Sequence, residues 1–117
     1  MICDAGAREV QDTMLARFPD RKLAVYVIWF DMLADDSRDR WRPVIHDPRV
    51  INFWDEQRYA GRYYANGRGY LFGAVYDYYF LYGADATWQD RPSGWDSSGT
   101  TVIDKADQLR TAIAALR

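Results

Sequence analysis

The most reactive side chain in this sequence belongs to its single cysteine, Cys3, which lies near the amino terminus. A helical pattern begins directly after it, and the first turn of a helix favours the thiolate form of a cysteine. Asp4 adjoins the sulfur and opposes that ionisation. A lone thiol cannot cycle through an internal disulfide. Cys3 is therefore a candidate catalytic thiol, and the alternative is a cysteine without function at a frayed chain end.

Asp77 is the second candidate catalytic residue, because it is the one charged residue in the apolar and aromatic segment 74–82. A carboxylate that is buried in such a segment needs a hydrogen-bond partner. Titratable groups in such surroundings are common among catalytic residues. The alternative is a structural network in which Asp77 bonds to a tyrosine or an arginine.

The remaining polar motifs favour no metal and no cofactor. One histidine, His46, lies in a polar turn beside Asp47 and Pro48, and one Cys with one His cannot form a tetrahedral zinc site. Carboxylates that follow a strand can bind Mg²⁺ or Ca²⁺. Such carboxylates are present at Asp31, Asp35, Asp36 and Asp39. Arginines interleave with them, so the pattern favours a solvated loop.

Composition excludes several classes of protein. The 117 residues are 49% hydrophobic and 27% charged, which is typical of a single soluble globular domain. The net charge of -2 predicts neither a nucleic-acid nor a membrane partner. The longest apolar run, 23–30, is too short to cross a bilayer. The amino terminus does not have the pattern of a signal peptide, so we expect a cytoplasmic location.

Aromatic residues make up 16% of the chain, which is the unusual feature of its composition. Most are expected in the core, but a strand such as 76–82 alternates faces, so some must be exposed. An exposed aromatic surface without a basic groove favours a protein interface over nucleic-acid stacking. We therefore expect a homo-oligomer, most simply a homodimer.

Apolar periodicity predicts the elements that position these residues. It predicts a helix over 5–18, then a strand over 23–30 that is buried on both faces. A second helix is expected after Asp47, with Pro48 at its first position. A turn is expected at 66–69.

In the second half of the chain the pattern predicts a hairpin, an edge strand and a final helix. A strand over 74–82 is expected to form a hairpin with 86–88. An edge strand is expected at 100–103. Asp104 is expected to cap the last helix, whose apolar stripe is Leu109, Ala112, Ile113 and Leu116.

This order of elements resembles the thioredoxin fold without its opening strand. Cys3 stands where the second cysteine of the Cys-x-x-Cys motif begins a helix in that family. Three segments are similar to a group of bacterial thioredoxin-like proteins: YVIWFDML (26–33), DPRVINFWDE (47–56) and YDYYFLYG (76–83). The first cysteine, the strand before it and the proline expected near 75–77 have no counterpart in this sequence.

The resemblance implies one thioredoxin-like α/β domain over 1–117, with a small mixed sheet and flanking helices. It also implies relatedness to thiol-disulfide redox proteins, with Asp77 facing the thiol and a protein thiol as partner. The lone Cys3 predicts that redox activity is impaired, unless the native chain starts upstream with a complete Cys-x-x-Cys or Sec-x-x-Cys motif. The alternative is a non-catalytic domain for protein interaction or oligomerisation, with an aromatic-rich surface.

Overall fold

The computed structural model describes residues 2–31, 38–39, 41–65, 73–90 and 92–116. Within these residues the chain forms a mixed α/β structure. Its elements are α1 (Ile2–Glu9), a π-helical segment (Val10–Leu15), β1 (Val25–Trp29), β2 (Val50–Trp54), α2 (Tyr59–Ala65), β3 (Tyr78–Leu81), β4 (Ser97–Thr100) and α3 (Ala106–Ala114). The chain divides into two compact units. Gln11–Tyr76 form the parallel unit, and Met1–Val10 with Asp77–Arg117 form the antiparallel unit.

The parallel unit contains a two-stranded sheet in which β1 and β2 run parallel, from Val25 opposite Val50 to Trp29 opposite Trp54. Burial alternates along both strands, so each strand has one exposed face. The strand predicted over 23–30 is confirmed in position, but the prediction that both faces are buried is wrong. A two-stranded sheet with one covered face shows the alternation that is typical of half-buried strands.

The helix predicted after Asp47 is also wrong, because 50–54 forms β2 and the next helix begins at Tyr59. The β-branched residues Val50 and Ile51 and the aromatic residues Phe53 and Trp54 favour a strand. Pairing with β1 then decides between the two structures. The predicted turn at 66–69 lies outside the described residues.

Glycine at position 61 permits a close approach within the parallel unit. The Val75 N–H donates to the Gly61 carbonyl over 2.9 Å. A Cβ at position 61 would lie 3.0 Å from both the Ala74 Cβ and the Val75 carbonyl oxygen. Buried apolar residues of this unit are Met14, Leu15, Ile45, Ala65, Ala74 and Val75. The segment 74–75 is therefore held against α2 and is not part of a strand.

The antiparallel unit contains β3 paired with β4, from Tyr78 opposite Thr100 to Leu81 opposite Ser97. The predicted hairpin with 86–88 is wrong, since Trp88 forms an isolated bridge with Pro92. The strand predicted over 74–82 is shorter than expected. Asp77 has a φ of 51°, a left-handed conformation that interrupts an extended chain, so β3 starts after it.

The final helix, α3, follows the predicted stripe but not the predicted cap. Leu109 and Ile113 are buried, as expected. The helix begins at Ala106 after Lys105, and no side chain caps it. Asp104 instead accepts a hydrogen bond of 2.8 Å from the Thr101 hydroxyl. Its carboxylate is occupied in the turn that precedes the helix.

The sheet topology differs from the single mixed sheet that was expected. In the described residues β1 pairs with β2 and β3 with β4, which gives two separate two-stranded sheets. The hydrogen bonds that join the two strands of each sheet lie within one unit. The mixed α/β class is confirmed, whereas a thioredoxin-like fold and a single domain over 1–117 stay predictions.

Candidate functional site: an exposed apolar sheet face

The outward side of the β1–β2 sheet is an exposed apolar surface, which we call the outer face. It consists of Tyr26 (62% exposed), Ile28 (41%), Ile51 (51%) and Phe53 (47%). Side chains alternate along a strand, so the second and fourth residues of β1 and of β2 share this side. The rings of Tyr26 and Phe53 lie 6.3 Å apart, centroid to centroid. The four side chains therefore form one continuous patch.

A hollow of about 350 Å³ adjoins the outer face at the carboxyl end of the strands. It is lined by Ile28, Phe53, Trp54, Asp55, Tyr59 and Ala60. The Asp55 N–H donates to the Trp29 carbonyl over 2.6 Å, and the Asp55 carboxylate accepts the Ala60 N–H over 2.9 Å. Asp55 thereby connects the sheet to α2. Its carboxylate serves the helix start, which places the exposed ring of Tyr59 beside the patch.

Hydrogen bonds on the opposite side of the sheet fix its position. The Trp29 indole N–H donates to the Asn52 side-chain oxygen over 3.0 Å. The Asn52 amide donates in turn to the Ile45 carbonyl over 3.1 Å. These bonds join β1, β2 and the segment before β2. The sheet that carries the outer face is therefore held in place by these side-chain hydrogen bonds.

Charge is distributed unequally between the two ends of this sheet. Lys22 precedes β1, and Glu56 follows β2; both residues are exposed. Asp31 also follows β1, where it lies 3.4 Å from the Arg58 guanidinium and keeps 42% of its side chain exposed. Because β1 and β2 are parallel, their amino ends share one edge and their carboxyl ends share the other. Because Arg58 offsets Asp31, the net negative charge at the carboxyl end comes from Glu56, and the amino end keeps the positive charge of Lys22.

The structure places the two predicted catalytic residues in the antiparallel unit. Cys3 lies in the first turn of α1, which begins at Ile2, three residues before the helix predicted over 5–18, and gives way to the π-helical segment after Glu9. The Asp77 carboxylate accepts the Val102 N–H over 3.0 Å, and the Asp77 carbonyl accepts the Thr100 hydroxyl over 2.8 Å. A Cβ at position 6 would lie 3.4 Å from the Asp77 carboxylate oxygen. Asp77 therefore lies against α1, one turn beyond Cys3.

The other polar candidates have structural roles or cannot be placed. His46 donates its main-chain N–H to the Gln11 side-chain oxygen over 2.8 Å, so it is a turn residue that joins two segments. Asp35 and Asp36 lie outside the described residues. Among the described residues, no group of three or more histidine, cysteine and acidic side chains could hold a metal ion.

The outer face was not predicted, because the apolar pattern indicated a helix where β2 lies. The signal was present in 50–54, where β-branched and aromatic residues outnumber good helix formers. Arg49 and Asn52 were also missed. Polar residues of this kind reveal their role only through partners that are distant in the chain.

Comparison with known proteins gave no match, whether to models of protein families, to curated proteins or to solved structures. The resemblance to thioredoxin-like proteins therefore stays a prediction. In the described part of the chain no helix combines the length and the hydrophobicity that crossing a membrane requires.

Proposed function

We propose that this chain is a protein-interaction domain that binds through the outer face of the β1–β2 sheet. The observation that carries the proposal is the exposure of four large apolar side chains on one side of that sheet. Isolated apolar residues are common on protein surfaces, whereas a contiguous patch is typical of an interface. By the areas that large side chains bury, the patch with Tyr59 offers on the order of 500 Å².

The chemistry of the patch favours a protein partner over other ligands. Its four side chains carry no charge, so it offers no cation to a phosphate backbone. The adjoining hollow contains one carboxylate, Asp55, which already bonds to α2. Such a hollow accepts an apolar side chain. A cytoplasmic location remains the expectation for this domain.

The proposal is tested by site-specific photocrosslinking in cells of the source organism. Benzoylphenylalanine replaces Phe53 in one variant and Trp88 in the control. Trp88 is 69% exposed and lies in the antiparallel unit, away from the outer face in sequence. We expect a discrete protein adduct from position 53 and none of the same mass from position 88. Absence of any adduct at position 53 would contradict the proposal.

Thiol chemistry at Cys3 is the second function that we propose, as the family resemblance implies. One observation favours it: α1 begins at Ile2, so Cys3 lies in the first turn of a helix. With one thiol the supported reaction is exchange. The Cys3 thiolate attacks a partner disulfide, forms a mixed disulfide and releases the partner's other sulfur as a thiolate.

A further inference from the structure

We propose that the occupant of the outer face is a second copy of this chain. The two copies pack face to face around a two-fold axis, with the strands of one antiparallel to those of the other. The inference rests on the proposed function, because it names the partner of the same surface. Closed two-fold pairing is the commonest way for identical chains to associate.

Charge complementarity selects the antiparallel arrangement. Each sheet has Lys22 at its basic end and Glu56 at its acidic end, where Arg58 offsets Asp31. A two-fold axis perpendicular to the strands places the basic end of one copy over the acidic end of the other. An axis along the strands would place like charges together, which disfavours that pairing.

The shape of the outer face is complementary to itself in the same arrangement. The centre of the paired register is Val27 opposite Asn52. Rotation about that centre places Tyr26 of one copy over Ile28 of the other, and Ile51 over Phe53. Tyr26, the most exposed of the four, thus faces the end of the sheet where the hollow lies. Side chains of two packed sheets interdigitate in this way, with the strands roughly aligned.

The area of the patch indicates how stable the pair is. Two patches of the size estimated above bury about 1,000 Å² in total, at the lower end of specific interfaces. Area alone does not determine affinity, but an interface of this size is typical of reversible association. We therefore expect monomer and dimer to coexist at roughly micromolar concentrations.

Sedimentation velocity over a concentration series tests the pairing. We expect wild type to shift from 13.7 kDa towards twice that mass as the concentration rises. Tyr26→Lys should remain a monomer, since it removes the ring that faces the hollow and sets a charge in the interface. Ile51→Lys should have the same effect. Circular dichroism confirms that each variant is folded, and either folded variant suffices for the comparison.

A charge-reversal cycle tests the antiparallel arrangement. Lys22→Glu and Glu56→Lys each place like charges together, and we expect each to raise the dissociation constant about two- to tenfold at low salt. Lys22 and Glu56 flank neighbouring strands and so meet diagonally across the pair, and the double variant, which restores opposite charges there, should recover part of that loss. Asp90→Lys, at an exposed site in the antiparallel unit, is the control and should change little.

The negative results of these experiments distinguish the proposed function from the proposal that the partner is a second copy. If wild type is monomeric throughout the series and position 53 forms an adduct with a different protein, the result would overturn the proposal that the partner is a second copy. It would still support the proposed function. Monomeric protein without any adduct would overturn both. A dimer that Tyr26→Lys and Ile51→Lys leave intact would show that copies meet elsewhere. Equal effects of the single and double reversals would overturn the antiparallel arrangement.

Discussion

Arg49 lies 2.8 Å from Asp47 and joins the start of β2 to the chain that leaves the π-helical segment. Its guanidinium donates to the main-chain carbonyls of Leu15, Phe18 and Arg21 over 2.7–2.8 Å. Helices leave their last carbonyls without partners, and a planar guanidinium can satisfy several of them together. Asp47 holds the guanidinium in position by accepting from it with both carboxylate oxygens.

Replacing Arg49 should therefore destabilise the protein. We expect Arg49→Ala to lower the free energy of unfolding by about 1–3 kcal/mol, because three partly buried carbonyls lose charged donors. Arg49→Lys should recover only part of the loss, since an ammonium cannot span the same acceptors. Urea denaturation measures both. Arg62→Ala, at an exposed position of α2, is the matched control, and an equal loss there would contradict the assignment.

The same pair predicts a dependence of stability on pH. The side-chain hydrogen bond from Arg49, with the bond from its main-chain N–H, lowers the pKa of Asp47 from 3.8 to about 2. A lowered pKa in the folded state stabilises the protein above the pKa of the unfolded state. That contribution should be lost as the pH falls from about 4 to about 2.

Asp47→Asn provides the comparison for this pH dependence. We expect the difference in stability between wild type and Asp47→Asn to be constant above about pH 5 and to shrink below pH 4. Thermal unfolding across this range measures it. A difference that does not change with pH would show that the ionised carboxylate adds nothing to folding.

The alternation along β1 predicts opposite results at two adjacent positions. Val27 faces the covered side and Tyr26 the exposed side. Val27→Asp should lower the free energy of unfolding by roughly 2 kcal/mol or more, because a charge would enter an apolar environment. Tyr26→Asp should change it by less than about 1 kcal/mol. Chemical denaturation of both decides the matter, and equal losses would contradict the strand's orientation.

Asp77 combines two requirements that substitutions can separate. Its φ of 51° is unfavourable for most residues, and its carboxylate accepts the Val102 N–H. Asp77→Ala removes the acceptor and puts a residue that disfavours a positive φ at this position. It should therefore lower the free energy of unfolding by about 2–4 kcal/mol. Asp77→Asn keeps an acceptor and tolerates the conformation, so it should cost least. Asp77→Gly should fall between them in a thermal melt, and another order would mean that a different contact dominates.

The lone thiol predicts stoichiometric chemistry. We expect negligible turnover in an insulin-reduction assay, because Cys3 cannot close an intrachain disulfide. Under oxidation the chain should form only mixed disulfides or a disulfide-linked dimer, both absent in Cys3→Ser. Multiple-turnover activity that disappears in Cys3→Ser would contradict this prediction.

Local signals in the sequence were sufficient for several elements. A helix near the amino terminus, the strand after 23 and the stripe of Leu109 and Ile113 each follow from apolar spacing, although the first helix begins at Ile2 and not at 5. These patterns are short-range, so the sequence itself determines them. Charge and composition likewise predicted a surface that binds neither nucleic acid nor membrane, and that remains a prediction.

Tertiary structure decided whatever depends on pairing between distant segments. The run 50–54 is apolar enough for either a helix or a strand, and only its register against β1 makes it β2. The partner of β3 was decided in the same way, since Ser97–Thr100 has a weaker strand pattern than 86–88 but closes the hydrogen-bonded ladder. The outer face exists because the pairing of β1 with β2 places four apolar side chains on one side of the sheet while the rest of the unit packs against the other side. No residue encodes that exposure alone, because burial is a property of the neighbours that folding brings together.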